Sequence, residues 1–434
     1  MWARELWLRG WHMKYLKIGL LLSLLTNHSI SAEENPSAAD VSKCASISST
    51  KDIVRCALER HPSILRAMAE RDHAAKAEGK ASSIPNPEAS TTTTYGKSLG
   101  DKLWTFEASL DQKVEIGGKR SSRIKLAQSE NELAEGSLKK AQEEVFLEMV
   151  HSLNRHRQIH EEMELINEAV SAFQRVKAIY EKRGRLSAEQ KVSSDLFELS
   201  IGEHRLRRAK IQGEKDALSR HFELILGQNL PEDEKFMPKF RKSWPEIAPA
   251  NEVKSGEIQI ATAQFKAAEA EWKAQKAESY PDITIGPVFE WEREGPTDVY
   301  RYGLNLSLPL PLWNWNRSGR AYAERGKIAA ERHLEFTKKE AQSERQQHID
   351  KYKALVGALA QAPDLKNLET KHRRIETLFE QGLVSTSLFI EAHRQIQEFT
   401  ESRNEQEHEA NDALWKIYAL DGRMFEEELW NSNF

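Results

Sequence analysis

Residues 299–320, VYRYGLNLSLPLPLWNWNRSGR, decide the fold that this sequence predicts. From Tyr300 to Leu308 every second residue is apolar, and the residues between them are polar or glycine. This two-residue period predicts a strand with one apolar and one polar face. Pro309 and Pro311 end the strand because proline cannot donate to a β-ladder. The charged, helix-favouring sequence that follows predicts a long helix directly after a short strand.

The composition favours long exposed helices rather than one thick core. Of 434 residues, 30% are charged and 39% are hydrophobic, and the formal net charge is −4. Both signs of charge are interspersed, as on a solvated helical surface. The sequence lacks the basic patch of a nucleic-acid-binding protein, so no nucleic-acid partner is expected.

The N-terminus has the pattern of a secretory signal peptide over residues 1–32. Met13–Lys17 is basic, Ile18–Leu25 is mostly apolar, and small residues precede Glu33. The true start is therefore expected at Met13. After residue 32 no run of 18 apolar residues occurs, which leaves strands as the route to a membrane.

Two cysteines, Cys44 and Cys56, lie in the exported part of the chain. Exported proteins fold in an oxidising compartment, so a disulfide that closes a short loop is expected between them.

The chain contains an internal repeat with an offset of about 196 residues. Pro85 matches Pro281, and Trp104 matches Tyr300. Each copy reads as helix, β-hairpin, long helix, glycine turn and returning helix. The predicted segments after the signal peptide are an N-terminal segment with a first equatorial helix (33–87), a first transmembrane hairpin (88–112), a first helical hairpin with its tip near 183–187 (113–228), a linker (229–250), a second equatorial helix (251–281), a second transmembrane hairpin (282–308), a second helical hairpin with its tip near 382–386 (309–422) and a C-terminal tail (423–434).

The long helices carry a narrow apolar seam of the coiled-coil type. In the first copy the seam residues step by four and three: Ile159, Met163, Ile166, Val170 and Phe173. The second copy repeats the spacing, with His372 at a seam position, and Pro363 is expected to break its helix.

Four strands of about ten residues fit the length that a tilted strand needs to cross a bilayer. Their apolar faces, with aromatic residues towards the hairpin ends, predict a lipid-facing surface. The residues predicted to face lipid are Trp104, Phe106, Leu110, Ile283, Ile285, Phe289, Trp291, Tyr300, Tyr302, Leu304, Leu306 and Leu308. Four strands cannot close alone, and lipid does not tolerate open edges. A cyclic homo-oligomer is therefore expected. Three copies would give twelve strands, but four copies remain open at this point.

Two stretches after the strands resemble a known family: EIGGKRSSRI at 115–124 and LPLPLWNWNRSG at 308–319. Together with the repeat, they resemble the outer-membrane efflux protein family, the TolC-like channels, and within it the cobalt–zinc–cadmium resistance branch. The resemblance implies a mixed α+β membrane protein with two tandem repeats. Its four strands per chain would complete a 12-stranded trimeric β-barrel, continued by a periplasmic α-helical coiled-coil barrel.

The resemblance also implies a function and partners. It implies a passive exit duct in the outer membrane of a Gram-negative bacterium, extending into the periplasm and exporting heavy-metal cations. The implied partners are two further copies of the chain, a periplasmic adaptor and an inner-membrane pump of the resistance–nodulation–division type.

The two glycine turns are the candidate adaptor-docking sites. Glycine permits the left-handed conformation that ends a helix, and a serine can cap the next helix. The candidate docking residues are Arg183, Gly184, Arg185, Leu186, Ser187, Gly382, Leu383, Val384, Ser385 and Thr386. The charges expected to form an aperture ring are Arg183, Arg185, Glu189 and Asp195.

No cofactor, metal ligand set or catalytic residue is predicted. His156 and His160 share a helix face, but neither cysteine nor a carboxylate set accompanies them. His372 and His393 are interpreted as packed seam residues. The sequence contains no nucleotide-binding loop, nucleophile–base pair or zinc motif, so an enzyme is not expected.

Two alternatives stay open at the level of sequence. In the first, the chain is an exit duct for drugs or for type I protein secretion instead of metals. A chain of another class, a periplasmic coiled-coil adaptor that never enters lipid, would share the long helices. An adaptor carries one helical hairpin, however, whereas this sequence predicts two at equivalent places.

Overall fold

The computed structural model describes residues 44, 47–98, 101–230, 236–238, 243–249, 253–363 and 365–433. The chain divides into two units, Met1–Ala45 and Ser46–Phe434. Only Cys44 is described in the first unit, so the signal peptide predicted for residues 1–32 lies outside the described residues. Parts of the linker predicted for 229–250 lie outside them as well.

The second unit alternates helices with two β-hairpins, in the order that the repeat predicts. The elements are α1 (Thr50–Arg60), α2 (Pro62–Ser82), β1 (Glu88–Ser98), β2 (Asp101–Val114), α3 (Lys119–Glu181), α4 (Ala188–Leu226), α5 (Gly256–Ala277), β3 (Ile283–Glu294), β4 (Thr297–Ser307), α6 (Arg317–Gln361), α7 (Leu365–Glu380), α8 (Thr386–Leu420) and α9 (Glu427–Asn433).

The four strands form one antiparallel sheet in the order β1-β2-β3-β4. Both strands of the second hairpin extend further towards their turn than the alternation of apolar and polar residues predicts. β3 runs to Glu294 and β4 begins at Thr297, so that two residues, Gly295 and Pro296, connect them. The run from Glu294 to Asp298, with its Gly-Pro pair, predicts a turn of five residues, which is longer than the one observed. The ladder continues through the charged pair Arg293 and Asp298 because backbone hydrogen bonds do not depend on the side-chain pattern.

Helix α3 is continuous over 63 residues, or about 95 Å at 1.5 Å per residue. The predicted seam is buried along it: Ile159, Ile166 and Phe173 are at most 1% exposed. Ile159 and Ile166 pack with Ile211 of α4, so the two helices form an antiparallel hairpin. The second copy breaks around Pro363, between α6 and α7, as its missing N–H predicts.

The C-terminal segment is a short helix rather than an unstructured tail. In α9 the Trp430 ring lies 5.2 Å from the Phe146 ring of α3, and the Trp430 indole N–H donates to the Met424 carbonyl. Phe425, whose ring lies 5.9 Å from that of Phe146, and the buried Met424 add to this contact.

Cys44 and Cys56 are both disulfide-bonded, and no described cysteine is free. Both side chains are buried.

Within the described residues, none of the helices combines the length and the apolarity that crossing a lipid bilayer requires.

Candidate functional site: a two-faced sheet and two helical tips

The strand register collects the apolar residues of all four strands on one face of the sheet. Tyr95 is paired with Trp104, Phe106 with Trp291, and Phe289 with Tyr302. Ile285 is paired with Leu306 on the same face. The register therefore places the predicted lipid-facing residues of β2, β3 and β4 side by side, with Leu308 just beyond β4. This apolar face is exposed in the single chain, with Tyr302 82% and Leu304 68% accessible.

The opposite, polar face of the sheet carries a chain of charged and hydroxyl side chains. Arg301 donates to Glu290 at 2.9 Å and to Glu292 at 2.6 Å. Asn305 of β4 donates to Asp111 of β2 at 2.9 Å, across the intervening strand. These contacts tie three strands together on a surface suited to water.

Because Gly286 has no side chain, Asn305 can reach Asp111 across β3. Gly286 lies on β3 opposite Asn305, on the polar face. A Cβ atom built at Gly286 would lie 2.2 Å from the Leu110 carbonyl oxygen and 2.8 Å from Asp111 Oδ1. The close approach of β2 to β3 therefore requires glycine at this position.

The two edge strands, β1 and β4, have one open edge each. Within the described residues, each pairs with a single neighbouring strand. Open edges present unpaired N–H and C=O groups that another chain can bind. The sheet is thus incomplete in one copy of the chain.

The elbow after β4 is anchored to the end of α5. Asn316 has φ 50°, in the left-handed region, and its side chain donates to the Gln275 carbonyl at 2.9 Å. Leu310, Trp313 and Trp315 remain exposed, with Trp313 at 92%. The elbow therefore presents aromatic side chains at the end of the sheet that lies away from the hairpin turns.

The two predicted tips are helical turns with capped second helices. Ser187 and Gln190 form a reciprocal capping box at the start of α4. Ser385 accepts from the Leu388 N–H at the start of α8. The serine caps inferred from the sequence are thus present at both tips.

The glycines of the two tips differ in conformation. Gly382 has φ +71°, and Leu383 N–H donates to the Leu378 carbonyl at 3.0 Å, as in a glycine-terminated helix. Gly184 does not have a positive φ. The left-handed glycine expected at both tips was therefore wrong at the first, where α3 ends through hydrogen bonds of Lys182 and Arg183 to the preceding turn.

Replacing Gly382 with alanine is expected to destabilise the second tip by about 1–2 kcal/mol, because a Cβ atom is strained in the left-handed region. Space is not the cause, since a Cβ would meet no atom within 4 Å. The matched variant Gly184→Ala, also without close neighbours, should be neutral or slightly stabilising. Thermal unfolding of the purified variants measures both; an equal loss in the two would contradict this account.

The four charges predicted for an aperture are exposed and separate. Arg183, Arg185, Glu189 and Asp195 form no ion pair in the described part of the single chain. Contacts among them would have to come from other copies, so the aperture ring stays a prediction.

A layer of buried charge crosses the helical hairpins, and the sequence analysis missed it. Arg157 pairs with Glu407 at 2.8 Å, with side chains 7% and 2% exposed. Arg155 bridges Glu162 and Glu214, and Glu162 also accepts from Asn404 at 3.0 Å. The only signal available was that charged residues interrupt the apolar seams, which is also common on exposed helices.

His151 and Asp412 extend this layer, at 3.1 Å from each other. Burial raises the pKa of Asp412, but hydrogen bonds from His151 and Lys416 outweigh it and lower the pKa below its ordinary value. Asp412 therefore stays ionised in the layer.

Glu143 of α3 is a buried acid whose pKa is shifted upwards, in the opposite direction to that of Asp412. Burial raises its pKa to about 7, and the nearby Lys139 only partly opposes this. The unfolded pKa is about 4.3. The folded state therefore binds the proton more tightly, and this contribution to stability is complete below about pH 4 and is lost as the pH rises through 7.

Replacing Glu143 with glutamine is expected to stabilise the protein at pH 8 by up to about 3 kcal/mol, with little effect at pH 4.5. The neutral amide keeps the shape and removes the buried charge. Melting temperatures at the two pH values measure the difference, and Glu144→Gln on the exposed side of the same turn is the control. A stabilisation that is independent of pH would contradict the assignment.

Comparison with known proteins gives the same architecture. A family model described as outer membrane efflux protein matches residues 53–185, which run from α1 to the first tip. No curated protein matches the sequence.

Solved structures share the fold at low sequence identity. A membrane protein from Pseudomonas aeruginosa has 16% identity and a TM-score of 0.67, with 86% of this chain and 90% of that chain covered. The outer membrane protein VceC from Vibrio cholerae has 16% identity and a TM-score of 0.65, covering 87% and 97%. The CmeC outer membrane channel of Campylobacter jejuni has 12% identity and a TM-score of 0.64, covering 88% and 89%.

The structural similarity shows the fold, and the sequence match adds a resemblance to the outer membrane efflux protein family over residues 53–185. The resemblance inferred from the strand, the elbow and the repeat is confirmed at this level. The chain is thus similar to the outer membrane efflux protein family over residues 53–185 and shares the fold of the solved channels over most of its length.

Proposed function

We propose that the protein is a passive exit duct in the outer membrane of a Gram-negative bacterium, continued into the periplasm by its long helices. The observation that carries this proposal is a four-stranded sheet with two open edges and one mostly apolar face, which Thr91 and Thr93 of β1 interrupt. The strands have 11, 14, 12 and 11 residues, and about 9–11 are needed to cross a bilayer when tilted. The apolar face meets lipid and the polar face lines water.

Closure of the duct comes from two further copies of the chain. Each copy contributes four strands, so three copies give twelve, within the range of about 8 to 26 known for such barrels. The open edge of β4 then pairs with β1 of the next copy, and every backbone group in the lipid finds a partner.

The helical tips are the proposed docking surface for a periplasmic adaptor, which links the duct to an inner-membrane pump. Leu383, beside Gly382, is 71% exposed at the second tip. Arg183, Gly184 and Arg185 are exposed at the first. Two tips per chain would give a ring of six docking points in a trimer.

The proposed cargo is heavy-metal cations. This part rests on the elbow sequences at 115–124 and 308–319, which resemble the metal-resistance branch. A passive duct needs no selective ligand, since the pump supplies the energy and the selection.

A deletion strain distinguishes the cargo classes. Its sensitivity to zinc, cobalt, cadmium, copper and a panel of drugs is measured, with the wild-type gene restored as control. Sensitivity to at least one metal, with unchanged drug sensitivity, is expected. If the deletion strain is sensitive to drugs alone, the proposed metal cargo is wrong but the proposed duct stands. If a form of the chain that is held in the periplasm restores resistance, the proposed duct is wrong.

A further inference from the structure

Two buried imidazole rings face each other where α7 and α8 pack together. The Nε2 atoms of His372 and His393 are 2.9 Å apart, and the ring centroids are 4.6 Å apart at 81°. The two residues are only 5% and 4% exposed. They lie ten and eleven residues on either side of Gly382, so the hairpin itself brings them together.

The outer nitrogen of each ring has a partner that orients it. His393 Nδ1 lies 2.9 Å from the Phe389 carbonyl, to which it can only donate. His372 Nδ1 lies 3.7 Å from a carboxylate oxygen of Glu168 on α3, which likewise favours a proton on that nitrogen. With both protons on Nδ1, the two Nε2 lone pairs point at each other. Such an arrangement is repulsive unless a cation lies between them.

Glu376 supplies a third donor to the same point. It is one helical turn after His372, so both side chains lie on one face of α7. The ligand atoms of His372, Glu376 and His393 all lie within 4.8 Å of one another. Glu376 is half-buried, which leaves solvent access for a water molecule in a fourth position.

Two imidazoles and one carboxylate are the donors of a zinc-class ion with an open position. At a metal–nitrogen distance of about 2.0–2.1 Å, tetrahedral ligands lie about 3.3 Å apart. The two Nε2 atoms would therefore separate by only about 0.4 Å to hold the ion. This shift is small for two side chains.

Aromatic side chains lie beside the ring of His393. The ring of Phe173 lies 5.0 Å from that of His393, and the ring of Phe389 lies 4.5 Å from it. The competing arrangement is a plain hydrogen bond between the rings, which would leave the Nδ1 lone pair of His372 facing the Glu168 carboxylate.

We propose that His372, Glu376 and His393 bind one divalent transition-metal ion of the zinc class. The ion ties α7 to α8 beside the second tip and so stiffens that hairpin. This is a resident site, independent of the cargo and of passage through the duct. The sequence did not predict this metal site, because His372 and His393 are 21 residues apart and lie on different helices.

The test uses the full-length chain without an affinity tag, purified in detergent, with Zn²⁺ and Co²⁺ as probes. Metal content after dialysis and competition with a chromogenic chelator are expected to give one tightly held Zn²⁺ per chain. His372→Gln and His393→Gln should lose it. His160→Gln is the matched control, because His160 is not one of the three proposed ligands and pairs with Glu164 at 3.7 Å on α3. It should keep the ion.

Two half-exposed carboxylates keep the proposal testable if the histidine variants do not fold. Glu376→Gln should weaken Zn²⁺ binding at least tenfold, and Glu168→Gln, through the orientation of His372, about 10–100-fold. Co²⁺ should give the visible absorption of a four-coordinate nitrogen–oxygen site in the wild type. The proposal is overturned if the wild type retains no more Zn²⁺ than the histidine variants, or if Glu376→Gln binds it as tightly as the wild type does.

Discussion

Replacing Gly286 with alanine is expected to prevent the sheet from forming and so to keep the protein from inserting into the outer membrane as proposed. The added Cβ would lie 2.2 Å from the Leu110 carbonyl oxygen, which belongs to the backbone of the neighbouring strand and cannot rotate away. It would also approach Asp111 Oδ1 and so break the hydrogen bond from Asn305. Overpacking and the lost hydrogen bond together amount to about 3 kcal/mol or more. In the proposed trimer, this loss of stability would occur in each of the three chains.

Gly303→Ala is the matched control for this prediction. Gly303 is on the polar face of the adjacent strand, opposite Val288, and a Cβ there meets no atom within 4 Å. It should change stability by no more than about 0.5 kcal/mol. Heat-resistant oligomer in outer-membrane fractions is compared for the two variants. Equal amounts of assembled protein would show that the approach of β2 to β3 is not as close as described.

Replacing Glu407 with alanine is expected to destabilise the helical hairpins by about 3–5 kcal/mol, because it leaves a buried guanidinium without its closest carboxylate. Arg157 is 6% exposed and lies 2.8 Å from Glu407. Its second contact, Glu161 at 3.3 Å, is weaker and half-buried. Melting temperature in detergent measures the loss.

Two further variants separate the charge from the side-chain volume. Glu409→Ala removes an exposed pair with Lys351, 43% and 45% accessible, and should cost no more than about 1 kcal/mol. The double variant Arg157→Met with Glu407→Leu should recover most of the stability, since a buried pair replaced by apolar groups is often neutral. A Glu407→Ala protein as stable as Glu409→Ala would contradict a buried pair.

The elements that repeat or alternate could be predicted from the sequence, since periodicity determines them. The strand that contains Tyr300, the break at Pro363 and the seam through Ile159 and Phe173 follow from spacing and from the chemistry of proline. The hairpin turn at Gly295 and Pro296 could not be placed to the residue, because backbone pairing extends past the apolar pattern.

Contacts between helices that are distant in the chain could not be predicted from the sequence. Arg157 and Glu407 are 250 residues apart, and each alone resembles a solvated charge. The difference between Gly184 and Gly382 depends on how each long helix ends, and the presence of a glycine in each turn does not reveal it. The pairing of His372 with His393 was in principle accessible, since both lie at nearly equal distances from the second tip.

The most direct test of the account is the state of the chain in the cell envelope. Membranes from cells that express the protein are washed with carbonate, and the detergent-extracted protein is weighed by native mass spectrometry. The account predicts that the protein stays in the outer-membrane fraction and has the mass of three chains. A monomer released into the periplasmic fraction would contradict it.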